Sequence, residues 1–175
     1  MHIATTTPGT SALKRIYMKL TLLLIGKTSF PYINEGLSIY KKRVSIHIPF
    51  NLVELPDVKG AASLTKEQIR QKEGEAMLRY VKNTDTFLLL DERGESFTSL
   101  QWAAYLERQM IVNPGRDITF AIGGAYGFSL QVYERADGKV SLSKMTFSHQ
   151  IVRLLFMEQL YRAFTIIKGE PYHHQ

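Results

Sequence analysis

The apolar run Leu20 to Ile25 constrains the fold more than any other feature of the sequence. A strand that faces water on one side alternates apolar and polar side chains, whereas a strand covered on both faces is apolar throughout, as the central strands of parallel sheets are. Further strands are expected at Phe50 to Leu55, Thr86 to Leu90, Asp117 to Ile122 and, briefly, Val140 to Leu142. Helices are expected between them. One runs from Pro31 to Val44, with Ile33, Leu37 and Tyr40 on one face and Lys41-Lys42-Arg43 near the C-terminal end, where cations suit the helix dipole. Thr65-Lys66-Glu67-Gln68 and Thr98-Ser99-Leu100-Gln101 have the form of capping boxes, opening helices to about Val81 and about Ile111. Gly74 weakens the first of these, and Trp102, Leu106 and Met110 give the second its core face. A short helix at Ser129 to Ala136 and a long one at Ser148 to Ile167 complete the pattern. Strand and helix alternate throughout, which predicts an α/β fold with a mainly parallel sheet flanked by helices.

With 175 residues the chain is read as a single domain from Met18 onward, and residues 1–17, rich in Thr, Pro, Gly and Ser, as a disordered or non-native extension. A signal peptide fits poorly, because the run after Lys14-Arg15 is short and Gly26-Lys27 follow it without a small-residue cleavage site. No stretch approaches the ~20 apolar residues of a membrane helix. The absence of cysteine excludes disulfides, thiolate catalysis and Cys-ligated zinc, and fits a reducing compartment. No metal site is expected, since His173 and His174 have no ligand spacing that would form one. The excess of 22 Lys+Arg over 16 Asp+Glu, a formal charge of +6, draws the protein toward polyanions such as RNA.

The chemically suggestive residues lie between Ile118 and His174. Ligands of open parallel sheets bind beyond the C-terminal ends of the strands. Leu90, Gly123 and the loop Leu142 to Phe147 all fall at such ends, and Gly123-Gly124 lets a ligand or another chain segment approach the backbone. An isolated glycine pair is also an ordinary tight turn. Gly26 belongs to no dinucleotide fingerprint.

The combination of Leu90-Asp91, Gly123-Gly124-x-x-Gly127, Leu142-Ser143-x-Met145-Thr146-Phe147-x-His149 and the terminal Pro171-Tyr172-His173 resembles the bacterial large-subunit ribosomal RNA methyltransferases of the SPOUT, or trefoil-knot, class. The likeness runs in one register from Met18 to the C-terminus. It implies a deep C-terminal trefoil knot, which sequence physics alone would not propose. It also implies a cytoplasmic, homodimeric enzyme that takes S-adenosylmethionine and methylates N3 of a pseudouridine in 23S rRNA on the ribosome. The cofactor would be held at Leu90, Gly123, Leu142, Ser143, Lys144, Met145, Thr146 and Phe147. Tyr172 and His173 are the candidates for orienting the base or accepting its proton, with Arg153 as an electrostatic partner. Two rivals stay open: the same fold acting on another RNA, and a non-catalytic RNA-binding or ribosome-assembly factor.

The helix from Ser148 carries apolar residues almost all round, from Ile151 to Ile167, and so must be covered on more than one side. A second subunit or a central position in a monomer would do this. Arg153 and Arg162, nine positions apart, fall on opposite sides of the helix at ~100° per residue. Arg162 is placed to pair with Glu158 one turn earlier, Arg153 to meet RNA phosphate or a partner subunit, and His149 to cap or pack at the helix start.

Overall fold

The computed structural model describes residues 18–173; the expected extension at 1–17 and His174 lie outside these residues. Five strands form one sheet in the order β2-β1-β4-β3-β5, every pair parallel. They are β1 (Leu20–Ile25), β2 (Phe50–Leu55), β3 (Thr86–Ser96), β4 (Ile118–Ile122) and β5 (Gly138–Ser141). The helices are α1 (Pro31–Ser45), α2 (Lys66–Tyr80), α3 (Ser99–Val112), α4 (Leu130–Arg135) and α5 (Ile151–Ile167). Each connection is a crossover that places a helix on one face or the other, as a parallel sheet requires.

The period-2 pleat sorts the apolar side chains of the strands into two cores. Leu20, Leu22 and Leu24 of β1, Leu88 and Leu90 of β3, and Ile118, Phe120 and Ile122 of β4 point to the face covered by α1, α3 and α5. Leu23, Ile25, Phe87, Leu89 and Ala121 point to the face covered by α2 and α4. All six residues of β1 are buried, Thr21 included, which is the physical reason for its apolar run. Both capping boxes form, with Thr65 and Thr98 accepting from the amides of Gln68 and Gln101. Gly74, a weakness by helix propensity, is a point of close helix approach: a Cβ there would lie 2.2 Å from Ser129 Oγ.

Three boundaries differ from expectation by more than one residue, among them β5, which runs Gly138–Ser141 rather than Val140 to Leu142. β3 does not stop at Leu90 but resumes at Glu95-Ser96, because Leu90 and Glu95 both pair with Val140 and the chain between them bulges outward. Gly94 makes this possible: a Cβ there would sit 2.6 Å from the Val140 amide nitrogen. α5 begins at Ile151 rather than Ser148, with the Ser148 hydroxyl accepting from the Ile151 amide.

The start of α5 is fastened to the end of β1. Arg153, only 1% exposed, donates to the carbonyls of Ile25 (2.6 Å), Gly26 (3.0 Å) and His149 (3.0 Å) and to Thr28 Oγ1 (2.8 Å), with Glu54 at 3.7 Å. Gln150 adds two bonds to the same segment, accepting from the Ser29 amide and donating to the Lys27 carbonyl. The expectation that Arg153 reaches RNA or a partner chain is therefore not met: its guanidinium is spent inside the protein. Arg153→Met should lower the urea-unfolding free energy by about 3 kcal/mol or more, since it strands several buried acceptors; a loss below ~1 kcal/mol would show that this network does not hold the fold.

Candidate functional site

β1, β3 and β4 run parallel and side by side, so their C-terminal ends share one edge of the sheet. A cavity of about 490 Å³ opens there, between the bulge of β3, the glycine loop after β4 and the segment joining β5 to α5. That volume lies in the range that takes a nucleoside-sized ligand. The floor is apolar, from Leu90, Ile122, Val140, Leu142 and Val152.

The glycine loop is a closed turn. The Gly127 amide donates to the Gly124 carbonyl at 3.2 Å, and Gly127 adopts φ +77°, a left-handed conformation that glycine takes without strain. A Cβ at Gly123 would press on the Gly127 carbonyl group at 3.3 Å. The pair is therefore both a tight turn and a pocket wall. On the opposite wall the Ser141 hydroxyl donates to the Ser143 carbonyl and the Ser143 hydroxyl accepts from the Met145 amide, which fixes the loop that follows β5. Thr146 bonds Glu92 at 3.2 Å, joining that loop to the bulge.

Of the residues expected to hold a cofactor, Leu90, Gly123, Leu142, Ser143, Met145, Thr146 and Phe147 line this one cavity, and Lys144 does not. Three glycines, Gly123, Gly124 and Gly127, leave the backbone of the first loop open to the cavity, and Met145 is 75% exposed at the rim. The residue types fit a purine nucleoside with a short polar tail: an apolar floor for the ring and fixed backbone groups for the rest.

Asp91 was not singled out as a site residue, although a carboxylate directly after a buried strand was a readable signal. It lines the pocket, accepts from the Arg93 amide at 2.8 Å and takes a short hydrogen bond from the Tyr133 hydroxyl. Burial and the Asp91 carboxylate push the Tyr133 phenol up to about 12, so it is a fixed donor. His149 also lines the cavity, at the start of α5.

The tail lies elsewhere. Tyr172 donates to Glu158 Oε1 (3.1 Å), packs on Tyr161 and lies 3.4 Å from the Tyr40 hydroxyl, while Arg162 stands over its ring. Arg162 pairs with Glu158 at 2.5 Å, as its one-turn spacing predicts, and lies 3.4 Å from His173 Nδ1. Burial, with the Tyr40 hydroxyl and Glu158, raises the Tyr172 phenol well above its ordinary value, which makes it a hydrogen-bond donor and a poor base. The cavity meets the first turn of α5 and the tail follows its last, and the 17 residues between span ~25 Å. Arg153 and Arg162 likewise sit in separate environments. Within one chain, Tyr172 and His173 are brought together with Arg162, and neither with Arg153 nor with the cavity.

A doubly covered parallel sheet with a ligand-sized cavity at its C-terminal edge, walled by a glycine turn and a second backbone loop, defines an α/β protein that binds a nucleotide-like cofactor. The chain belongs to the SPOUT methyltransferase family: residues 18–173 match the family described as "Predicted SPOUT methyltransferase". Its relatives include proteins named ribosomal RNA large subunit methyltransferase H from Parabacteroides distasonis (49% identical over 158 residues) and Flavobacterium johnsoniae (48% over 159). In both cases the alignment covers 90% of this chain and 100% of the relative. Among solved structures, the SpoU methyltransferase AviRb of Streptomyces viridochromogenes is similar at TM-score 0.41 and 10% identity, over 90% of this chain and 63% of that one.

Gly123→Val should weaken S-adenosylmethionine binding by about 10-fold or more, roughly 1.4 kcal/mol, by forcing the Gly127 turn toward the cavity. Calorimetric titration of the folded variant checks this; unchanged affinity would take the glycine turn out of the site.

Proposed function

We propose that this chain methylates N3 of a pseudouridine in 23S rRNA, and that its active site is completed by the tail of a second copy. The protein is an S-adenosylmethionine-dependent methyltransferase of large-subunit ribosomal RNA, as its family and its full-length likeness to the methyltransferase H proteins establish. The target atom, the pairing of subunits and the roles of individual residues are the proposal.

The observation that carries it is the separation of cavity and tail at opposite ends of α5. A tail built on Tyr172 and His173 cannot reach its own cavity across ~25 Å of helix, so it can serve only the cavity of another chain. Apolar surface left uncovered on this chain favours that pairing: Leu155 of α5 is exposed, and so are Phe30, Tyr32 and Ile39 at and along α1. The sheet, α1 and α3 cover most of α5, so a partner would cover its outer strip rather than half of its circumference. Among the described residues no helix is long and apolar enough to cross a membrane, and no His, Asp and Glu group could hold a metal.

Bound S-adenosylmethionine supplies an electrophilic methyl group. The glycine turn, the Leu142 to Phe147 loop and the apolar floor hold the donor in place, and Asp91, oriented by Tyr133, gives it a carboxylate acceptor. N3 of the base loses its proton as it attacks, and negative charge develops on the ring. The Tyr172 phenol, held protonated, and the Arg162 guanidinium beside it form a donor and a cation suited to that charge. His173, at the end of the described chain, is left as the candidate proton acceptor. Arg153 has a structural part in this reading.

Deleting Tyr172 to Gln175 should leave cofactor binding intact while single-turnover transfer to ribosomes carrying the pseudouridine falls by at least ~100-fold. Mixing the truncated chain with a Gly123→Val chain should restore activity, because a mixed dimer holds one intact cavity and one intact tail on different subunits. Wild-type rates in the truncated protein would remove the tail from the mechanism, and a mixture as inactive as its parts would remove the shared site.

A further inference from the structure

Glu73 of α2 has no part in the chemistry described so far. It is 8% exposed, its Oε2 has no hydrogen-bond partner, and it forms no ion pair among the described residues. Its carboxyl group lies against the glycine turn: a Cβ at Gly124 would stand 2.6 Å from each carboxylate oxygen. The other side of Gly124 lines the cofactor cavity. Gly124 thus stands between a buried carboxylate and the cavity. The charged group acting on it from another element is Asp57, which follows β2 and lies over Gly26; Arg153 of α5 acts on Asp57. Burial and then Asp57 raise the Glu73 carboxyl to about 7, with the Gly124 backbone holding it down in part.

S-Adenosylmethionine is a sulfonium cation, and its product after methyl transfer, S-adenosylhomocysteine, is a thioether without that charge. We propose that Glu73 is a positioning residue whose buried carboxylate, behind Gly124, sets the preference of the cavity for the charged cofactor over the neutral product. This rests on the cofactor reading above. A charge in a poorly screened site acts across a cavity of this size, and it attracts only the ligand that carries the sulfonium. Methyl transfer removes that attraction and favours product release. The sign follows from linkage: the cation stabilises the ionised carboxylate, so S-adenosylmethionine binding strengthens as pH rises through about 7 and releases protons below it, whereas the product shows neither effect through this group.

Calorimetric titration of the full-length protein with each ligand, from about pH 6 to about pH 8.5, tests this. The affinity ratio of S-adenosylmethionine to S-adenosylhomocysteine should rise at least ~5-fold in the wild type and stay flat in Glu73→Gln. That comparison also subtracts whatever Asp91, Glu92 and His149 at the cavity contribute. A wild-type ratio independent of pH, or the same rise in Glu73→Gln, would overturn the proposal. Should Glu73→Gln fail to fold, Asp57→Asn decides: removing the neighbouring carboxylate should move the midpoint of the wild-type rise to lower pH, and an unmoved midpoint overturns it. Absence of binding by both ligands at every pH would instead bring down the cofactor reading, and this proposal with it.

Discussion

The arrangement of this molecule depends on a buried arginine. Arg153 reaches from the first turn of α5 to the open carbonyls at the end of β1, groups that would otherwise be stranded where the strand stops and the sheet edge is covered. By capping them it fixes where α5 begins, and with it the loop after β5 that forms one wall of the cavity. A lysine could not do this, because its ammonium has three donors, whereas four acceptors surround Arg153 and need the fork of a guanidinium. The long return of α5 to lie between α1 and α3, the feature that the knotted family requires, is fastened at this point.

The sheet was legible in the sequence because burial on both faces leaves an unambiguous signature. Leu20 to Ile25 and Ile118 to Ile122 could hardly be anything else, and the two threonine capping boxes marked helix starts to the residue. The return of β3 after its bulge was hidden because Asp91-Glu92-Arg93-Gly94 reads as a turn, and only the pairing of both flanks with Val140 makes it an excursion within a strand. The cavity was legible as three strand ends that a parallel sheet must bring together. Arg153 was misread because an arginine with no acidic residue one turn away in an apolar helix gives no sign of whether its partners are carbonyls or phosphates. Glu73 gave no signal at all, since it stands among other polar residues of α2 and its importance comes from a glycine fifty-one positions away.

Glycines here mark close approaches between elements as much as freedom of the chain. Gly74 lets α4 meet α2, Gly36 receives Leu154 of α5, and Gly94 lets the bulge cross Val140. Gly124 belongs with them, since the space beside its α-carbon is filled by Glu73. A glycine pair that reads as a ligand-binding signature thus has two causes, one on each side of the backbone, and only one of them is the ligand.

The strand order has a bearing on how the chain comes off the ribosome. β1 is made first, yet one of its two neighbours is β4, and the Lys19 amide just before β1 donates to Asp117 Oδ1, 98 positions away. Until β4 has been synthesised, β1 has a vacant edge, and until α5 follows, the carbonyls at its end lack the Arg153 donor. Non-local pairing of this kind is slow to form. A half-made chain therefore has no cavity, and the cofactor site comes into being only once β4, β5 and the start of α5 have all been made.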